Sequence, residues 1–200
     1  MESHGQADLR EGLGNNGAPE AGTWHPRARR VPSPNQDARP AGMRPSLLVI
    51  HGISLPPGEF GGPWIDALFT NRLDPTAHPY FREIAHLRVS AHLLIDRRGH
   101  LTQYVPFERR AWHAGRSRFG AHEGCNDFSI GIELEGTDEV PYTDEQYGCL
   151  AEVTRWLMAR YPDIVPERIV GHSDIAPGRK TDPGPAFDWV RYRALLENGT

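Results

Sequence analysis

Of the 22 basic side chains in this chain of 200 residues, one is a lysine, Lys180. It lies in the stretch 171–184, two residues before Asp182 and eight after His172. Elsewhere the chain uses arginine, a planar fork that stays charged, whereas a lysine ammonium is a compact point charge that can aim at one developing oxyanion. Far upstream, His51 ends an apolar run, and with His172 and Asp182 it supplies two imidazoles and one carboxylate. Three protein ligands with the fourth position left to water is the pattern of a catalytic rather than a structural zinc ion, and zinc brings the pKa of that water near neutrality. Hydrolysis by such a site also needs a carboxylate as general base, a role open to Glu133, and a cation for the tetrahedral oxyanion, a role open to Lys180.

Spacing alone leaves competitors. The chain has ten histidines, and His86, His92 and His113 are alternative ligands, His92 foremost because it falls inside a strand-like run. Glu135 shares a face with Glu133 two residues along and competes for the role of base. Other zinc signatures fail. His122-Glu123 has Asn126 where a second histidine would be needed, and no Pro-Cys-x-x-Cys is present. A closed structural zinc site would need a fourth ligand, and no cysteine lies near these residues in sequence.

Short elements must position these groups. The run 46–51 is apolar and β-branched and predicts a buried strand that breaks at Gly52 and delivers His51 at its end. The runs 90–95 and 100–105 flank Asp96-Arg-Arg-Gly99 and predict a hairpin. The stretch 128–135 alternates with period two, with Phe128, Ile130, Ile132 and Leu134 on one face and Ser129, Gly131, Glu133 and Glu135 on a polar one. Thr143 followed by Gln146 is a capping box, and Tyr147, Leu150, Val153, Trp156 and Leu157 continue at helical spacing, so 144–160 is a helix. The run 168–172 predicts a second strand stopping at a histidine, and 187–196 a second helix. Proline and glycine concentrate in 31–63 and 171–185, which predicts ordered loops there. Without strict alternation of strands and helices, the expected fold class is mixed α/β, a central mixed β-sheet flanked by helices in a single domain.

Length and a hydrophobic content of 38% suit one domain with a sizeable core. A net charge of −4 and scattered arginines exclude a nucleic-acid footprint. The first residues, rich in Gly, Asn, Glu and Ala, contain no apolar segment, so neither a secretory signal nor a membrane anchor is expected; 1–27 is read as a disordered tail and 28–200 as the folded domain. Cys125 and Cys149 are too few for a disulfide framework and fit a reducing cytoplasm, as small buried hydrophobes.

Five segments, 51–64, 85–92, 110–115, 125–136 and 171–184, occur in an order that strongly resembles the cytoplasmic AmpD-type N-acetylmuramoyl-L-alanine amidases over about 28–197. The resemblance implies the fold of the amidase and peptidoglycan-recognition superfamily and a cytoplasmic, monomeric zinc hydrolase. Its substrate would be a small molecule, an anhydro-muropeptide cut between the muramic lactyl group and L-alanine. It also implies Zn2+ held by His51, His172 and Asp182, Glu133 as base and Lys180 as stabiliser of the transition state, leaving His92 and Glu135 as supports. Trp112 and Arg88 fall in segments the family uses around sugar and peptide, for stacking and carboxylate pairing. The chain departs from the family at Gly52, usually Asn, and at Gly124, usually basic, which bears on substrate preference rather than catalysis. The rival reading is a module of the same superfamily that binds or senses muropeptide without cutting it; such a binder has no need of a water-activating carboxylate or an oxyanion partner.

Overall fold

The computed structural model describes residues 24–198. In chain order the strands are β1 (Arg29–Arg30), β2 (Gln36–Ala38), β3 (Leu47–Ile53), β4 (Leu93–Ile95), β5 (Leu101–Gln103), β6 (Arg109–Ala111), β7 (Arg118–Phe119), β8 (His122–Glu123), β9 (Ser129–Glu135) and β10 (Ile169–Gly171). The α-helices are α1 (Trp64–Phe69), α2 (Phe81–Ile84), α3 (Asp144–Arg160), α4 (His172–Ile175) and α5 (Trp189–Glu197). Six strands form one mixed sheet in the order β1-β5-β4-β9-β3-β10, in which only the β4–β5 hairpin is antiparallel.

One face of the sheet carries the main core. Leu48, Ile50, Leu93, Ile95, Ile130, Ile132 and Leu134 meet Leu150, Val153 and Leu157 of α3 and Tyr192 of α5. Burying each large aliphatic side chain of this kind contributes about 1.5–3 kcal/mol. α3 begins as its sequence dictates: the Gln146 backbone N–H donates to Thr143 Oγ1 at 3.2 Å, and the Thr143 N–H donates to Gln146 Oε1 at 3.1 Å. Gln146 is itself buried and its amide donates to the carbonyl of Glu135 at 2.9 Å, so the cap also anchors the end of β9. The hairpin turn closes on Asp96 Oδ1, which accepts from the N–H groups of Arg98 and His100 at 2.8 Å each. Gly99 sits there at φ +76° with the carbonyl of Glu145 beside it, leaving no room for a Cβ.

Several expectations shift. β3 does not break at Gly52 but runs on to Ile53, with Gly52 opposite Leu134; the glycine is there because a Cβ would lie 2.5 Å from the Tyr142 hydroxyl. The polar face of β9 is not solvated, since all seven residues are buried. β9 lies between two parallel neighbours, where strands covered on both sides normally read as continuous apolar runs, so its alternation marks a buried polar row. The stretch 171–185 is not all loop: α4 starts directly after β10, with the Gly171 N–H donating to Asp174 Oδ2 at 2.7 Å. Likewise 31–63 holds β2 besides the expected strand β3. α1 and α2 had no clear helical period, being too short to show one. The expected tail falls outside the described residues up to 23, but His25 is buried against Trp156, with its backbone N–H on Gln103 Oε1 at 2.7 Å, so the ordered chain starts before residue 28.

Candidate metal centre

Parallel pairing builds the site. β3 places His51 opposite Glu133 of β9, and β10 pairs Gly171 with Ile50, which brings the next residue, His172, beside His51. β9, β3 and the first residue of α4, where the expected strand 168–172 gives way to helix after Gly171, thus deliver one row beside the loop carrying Asp182. His51 Nδ1 lies 3.0 Å from His172 Nδ1 and 3.2 Å from Asp182 Oδ2, and His172 Nδ1 lies 3.0 Å from the same oxygen. Among the described residues this is the group of donors able to hold a metal ion. Both histidines are buried, and Asp182 is partly covered.

The chemistry of the donors fits a cation. His172 Nε2 faces the carbonyl of Ala114 at 3.2 Å, which can only accept, so that nitrogen carries the proton and Nδ1 turns a lone pair inward. Separations of 3.0–3.2 Å are close to the roughly 3.3 Å edge of a tetrahedron with bonds of about 2 Å to imidazole and carboxylate. Burial, against the pull of Asp182, lowers the His51 pKa to about 4, so the ring is neutral and available as a ligand. Burial works to raise Asp182, but the facing His172 and His51 rings outweigh it and hold the carboxyl well below its usual range.

The two competing carboxylates separate. Glu135 is buried with both oxygens used, Oε1 by the Gly61 N–H at 2.5 Å and Oε2 by the Arg97 N–H at 3.2 Å, so it ties the 54–62 loop to the hairpin. Glu133 Oε2 is buried with no hydrogen-bond partner. Burial first, then the negative Asp182, push the Glu133 pKa well above the ordinary carboxyl value, and Lys180 draws it back. Lys180 is exposed on the loop before Asp182, and its charge bears on both Glu133 and His51.

The remaining candidates fall elsewhere. His92 bonds backbone, accepting from Gly131 N–H at Nδ1 (3.1 Å) and facing the Arg109 carbonyl with Nε2 (3.1 Å), and His86 is exposed. Trp112 is half-buried, its backbone N–H on Ser90 Oγ at 3.0 Å and its side chain hydrogen-bonded to Asp37. Arg88 is exposed, its guanidinium folded onto the carbonyls of His86 and Leu87. His113, one competitor among several by spacing, stands directly behind His51, with Nδ1 at 2.9 Å from His51 Nε2. The signal that could have marked it was Gly131, a glycine inside a strand, where a close approach is expected; a Cβ there would meet the His113 ring at 2.5 Å.

The chain belongs to the N-acetylmuramoyl-L-alanine amidase family and is an enzyme of that class: the family model matches residues 41–185, a span that holds every residue of the site. Within the family it is similar to the 1,6-anhydro-N-acetylmuramyl-L-alanine amidase AmpD of Salmonella typhimurium, 68% identical over 173 residues that are 86% of this chain and 92% of that one. A crystal structure of a selenomethionine AmpD derivative superposes with a TM-score of 0.86 at 66% identity, covering 88% of this chain and 97% of that one. AmpDh3 of Pseudomonas aeruginosa, solved in complex with anhydromuramic pentapeptide, matches with a TM-score of 0.55 at 30% identity over 78% of this chain and 61% of its own. No helix among the described residues is long and apolar enough to cross a membrane.

Proposed function

We propose that the enzyme is a zinc-dependent amidase that hydrolyses the bond between 1,6-anhydro-N-acetylmuramic acid and L-alanine of the stem peptide, acting as a monomer in cytoplasmic recycling of peptidoglycan fragments. The observation that carries this reading is the convergence of His51 Nδ1, His172 Nδ1 and Asp182 Oδ2 beside the unpartnered Glu133 Oε2. His51, His172 and Asp182 would hold the ion, which supplies Lewis acidity toward a carbonyl and acidifies water.

The rest is the work of the chain. The Glu133 carboxylate takes the proton of the attacking water and returns it to the leaving amide nitrogen; its raised pKa makes it a strong enough base to receive that proton and its orphan oxygen leaves it free to do so. The Lys180 ammonium balances the charge on the tetrahedral oxygen. Trp112 stacks on the sugar, and Arg88 pairs with a stem-peptide carboxylate. A purely muropeptide-binding module gains nothing from burying a carboxylate without a partner, which costs stability. The folded enzyme is taken as 28–200 with the short lead-in from residue 24.

Mass spectrometry of the products from an anhydro-muropeptide, incubated with protein of measured zinc content, tests bond, substrate and cofactor together. Release of the intact stem peptide, in proportion to bound zinc, is expected. An uncut substrate bound by zinc-loaded protein would replace this reading with the binding module.

A further inference from the structure

Both imidazoles of the metal centre are held from behind by two consecutive residues, 113 and 114. His172 donates from Nε2 to the Ala114 carbonyl, and that same oxygen accepts from Arg179, 2.7 Å away, whose guanidinium also reaches the Arg116 carbonyl at 2.7 Å. His51 meets His113 at 2.9 Å with the two rings at 89° to each other, and His113 continues through Nε2 to Ser129 Oγ at 3.0 Å. The backbone of the pair is fixed by one atom: Asn126 Oδ1 accepts from the N–H of His113 at 3.1 Å and of Ala114 at 2.8 Å. The His113 ring lies flat on the backbone of β9, over Gly131, where a Cβ would sit 2.5 Å from its Cγ and 2.6 Å from its Nδ1.

We propose that His113 is a positioning residue for the metal centre, the acceptor that fixes the tautomer and orientation of His51, on a shelf at 113–114 that Asn126 holds in place. The inference rests on reading His51 and His172 as ligands. A chain of three groups, His51, His113 and Ser129, can carry its hydrogens in either direction. Only one direction leaves a lone pair on His51 Nδ1, namely His51 Nε2–H to His113 Nδ1 and His113 Nε2–H to Ser129 Oγ. With its Nε2–H given to Ser129 Oγ, His113 presents a lone pair at Nδ1 toward His51 Nε2. His113 takes no part in the donor cluster, because its Nδ1 meets the nitrogen of His51 that faces away from Asp182. Partners behind a metal-bound histidine typically govern affinity by 10- to 100-fold.

The test compares His113→Asn with His113→Leu. Asparagine carries an acceptor oxygen near the place of Nδ1, and leucine fills the volume with none. Zinc affinity is read by competition against a chromophoric chelator, beside melting of the metal-free proteins and the visible spectrum of their Co2+ forms. Expected is a loss of about 10- to 100-fold for His113→Leu, with a changed Co2+ spectrum, and restoration to within a few-fold by His113→Asn. A merely space-filling role would favour leucine and leave affinity unchanged, and equal affinities in wild type and His113→Leu overturn the inference. If leucine prevents folding, His113→Gln, whose amide projects one bond too far, takes its place with the same expected loss. His172→Ala separates the two levels of the argument. If it binds zinc as wild type does, the ligand reading itself fails, and the inference with it; if it loses zinc while His113→Leu does not, only the inference fails.

Discussion

Glu133→Gln isolates the proposed base with the least disturbance, because the amide keeps the shape of a side chain that is buried. Glu133 Oε2 makes no hydrogen bond, so no contact to His51, His172 or Asp182 is broken and zinc should stay bound. Positioned general-base catalysis contributes about 10²–10⁴-fold, which at about 1.36 kcal/mol per decade is roughly 3–5 kcal/mol of barrier. Turnover of an anhydro-muropeptide, measured by chromatography at saturating substrate with zinc content determined on the same sample, should fall by that factor.

The same carboxylate predicts an opposite effect on stability. Its folded-state pKa is raised above the unfolded value by burial and by Asp182, so the folded state binds its proton more tightly. The resulting penalty is absent below the ordinary carboxyl pKa, grows as pH rises toward the folded value, and is fully present above it. The neutral amide introduced by Glu133→Gln carries no such penalty. Relief of about 1 kcal/mol would raise the melting temperature of the metal-free protein by about 2–4 °C for a domain of this size, at pH 8 and with a shrinking difference toward pH 4. A zinc-loaded Glu133→Gln protein within tenfold of wild-type turnover would refute the assignment of the base, and a variant no more stable at pH 8 than at pH 4, each relative to wild type, would refute the electrostatic account.

Three further changes probe the neighbours of that carboxylate. Lys180→Arg keeps the charge but spreads it over a fork, and kcat should fall at least about tenfold, toward the 10²–10³ seen on deleting one oxyanion donor; a near-wild-type kcat would remove Lys180 from the chemistry. Asp182→Ala deletes a proposed ligand, so metal analysis should find substoichiometric zinc, and added zinc should no longer raise the melting temperature; full zinc occupancy would contradict it. Gly52→Ala places a Cβ 2.5 Å from the Tyr142 hydroxyl, which donates to the Pro183 carbonyl at 3.0 Å next to Asp182. Loss of that hydrogen bond, worth about 1 kcal/mol, should lower the melting temperature by about 2–4 °C, and an unchanged melting curve would show that the phenol moves aside freely.

How legible each part was in the sequence depends on the range of the interactions that decide it. α3 was readable to the residue because its cap and its apolar stripe are local: Thr143, Gln146 and positions three and four apart. The residue types of the centre were readable too, and so was their convergence as a hypothesis. Spacing left Glu133 and Glu135 level and only the family resemblance favoured Glu133, because the N–H groups that occupy Glu135, those of Gly61 and Arg97, lie 74 and 38 residues away, beyond any local pattern. The alternation of 128–135 set a polar face against an apolar one. A solvated face and a buried polar row write the same pattern, and only the parallel neighbours on both sides of β9 tell them apart.

In the loop before Asp182, Arg179 and Lys180 are adjacent, yet their surroundings differ. Arg179 donates from a single nitrogen, Nη2, to two carbonyls, Ala114 and Arg116, the first of which also faces His172 Nε2. Lys180 stays exposed, with its charge acting on Glu133 and His51. An arginine there would bring a wider, flatter group to the place where the proposed mechanism has one oxygen to be met. On the proposed mechanism Arg179 holds the scaffold and Lys180 meets the substrate, which is the physical reason for expecting Lys180→Arg to reduce turnover although no charge is lost.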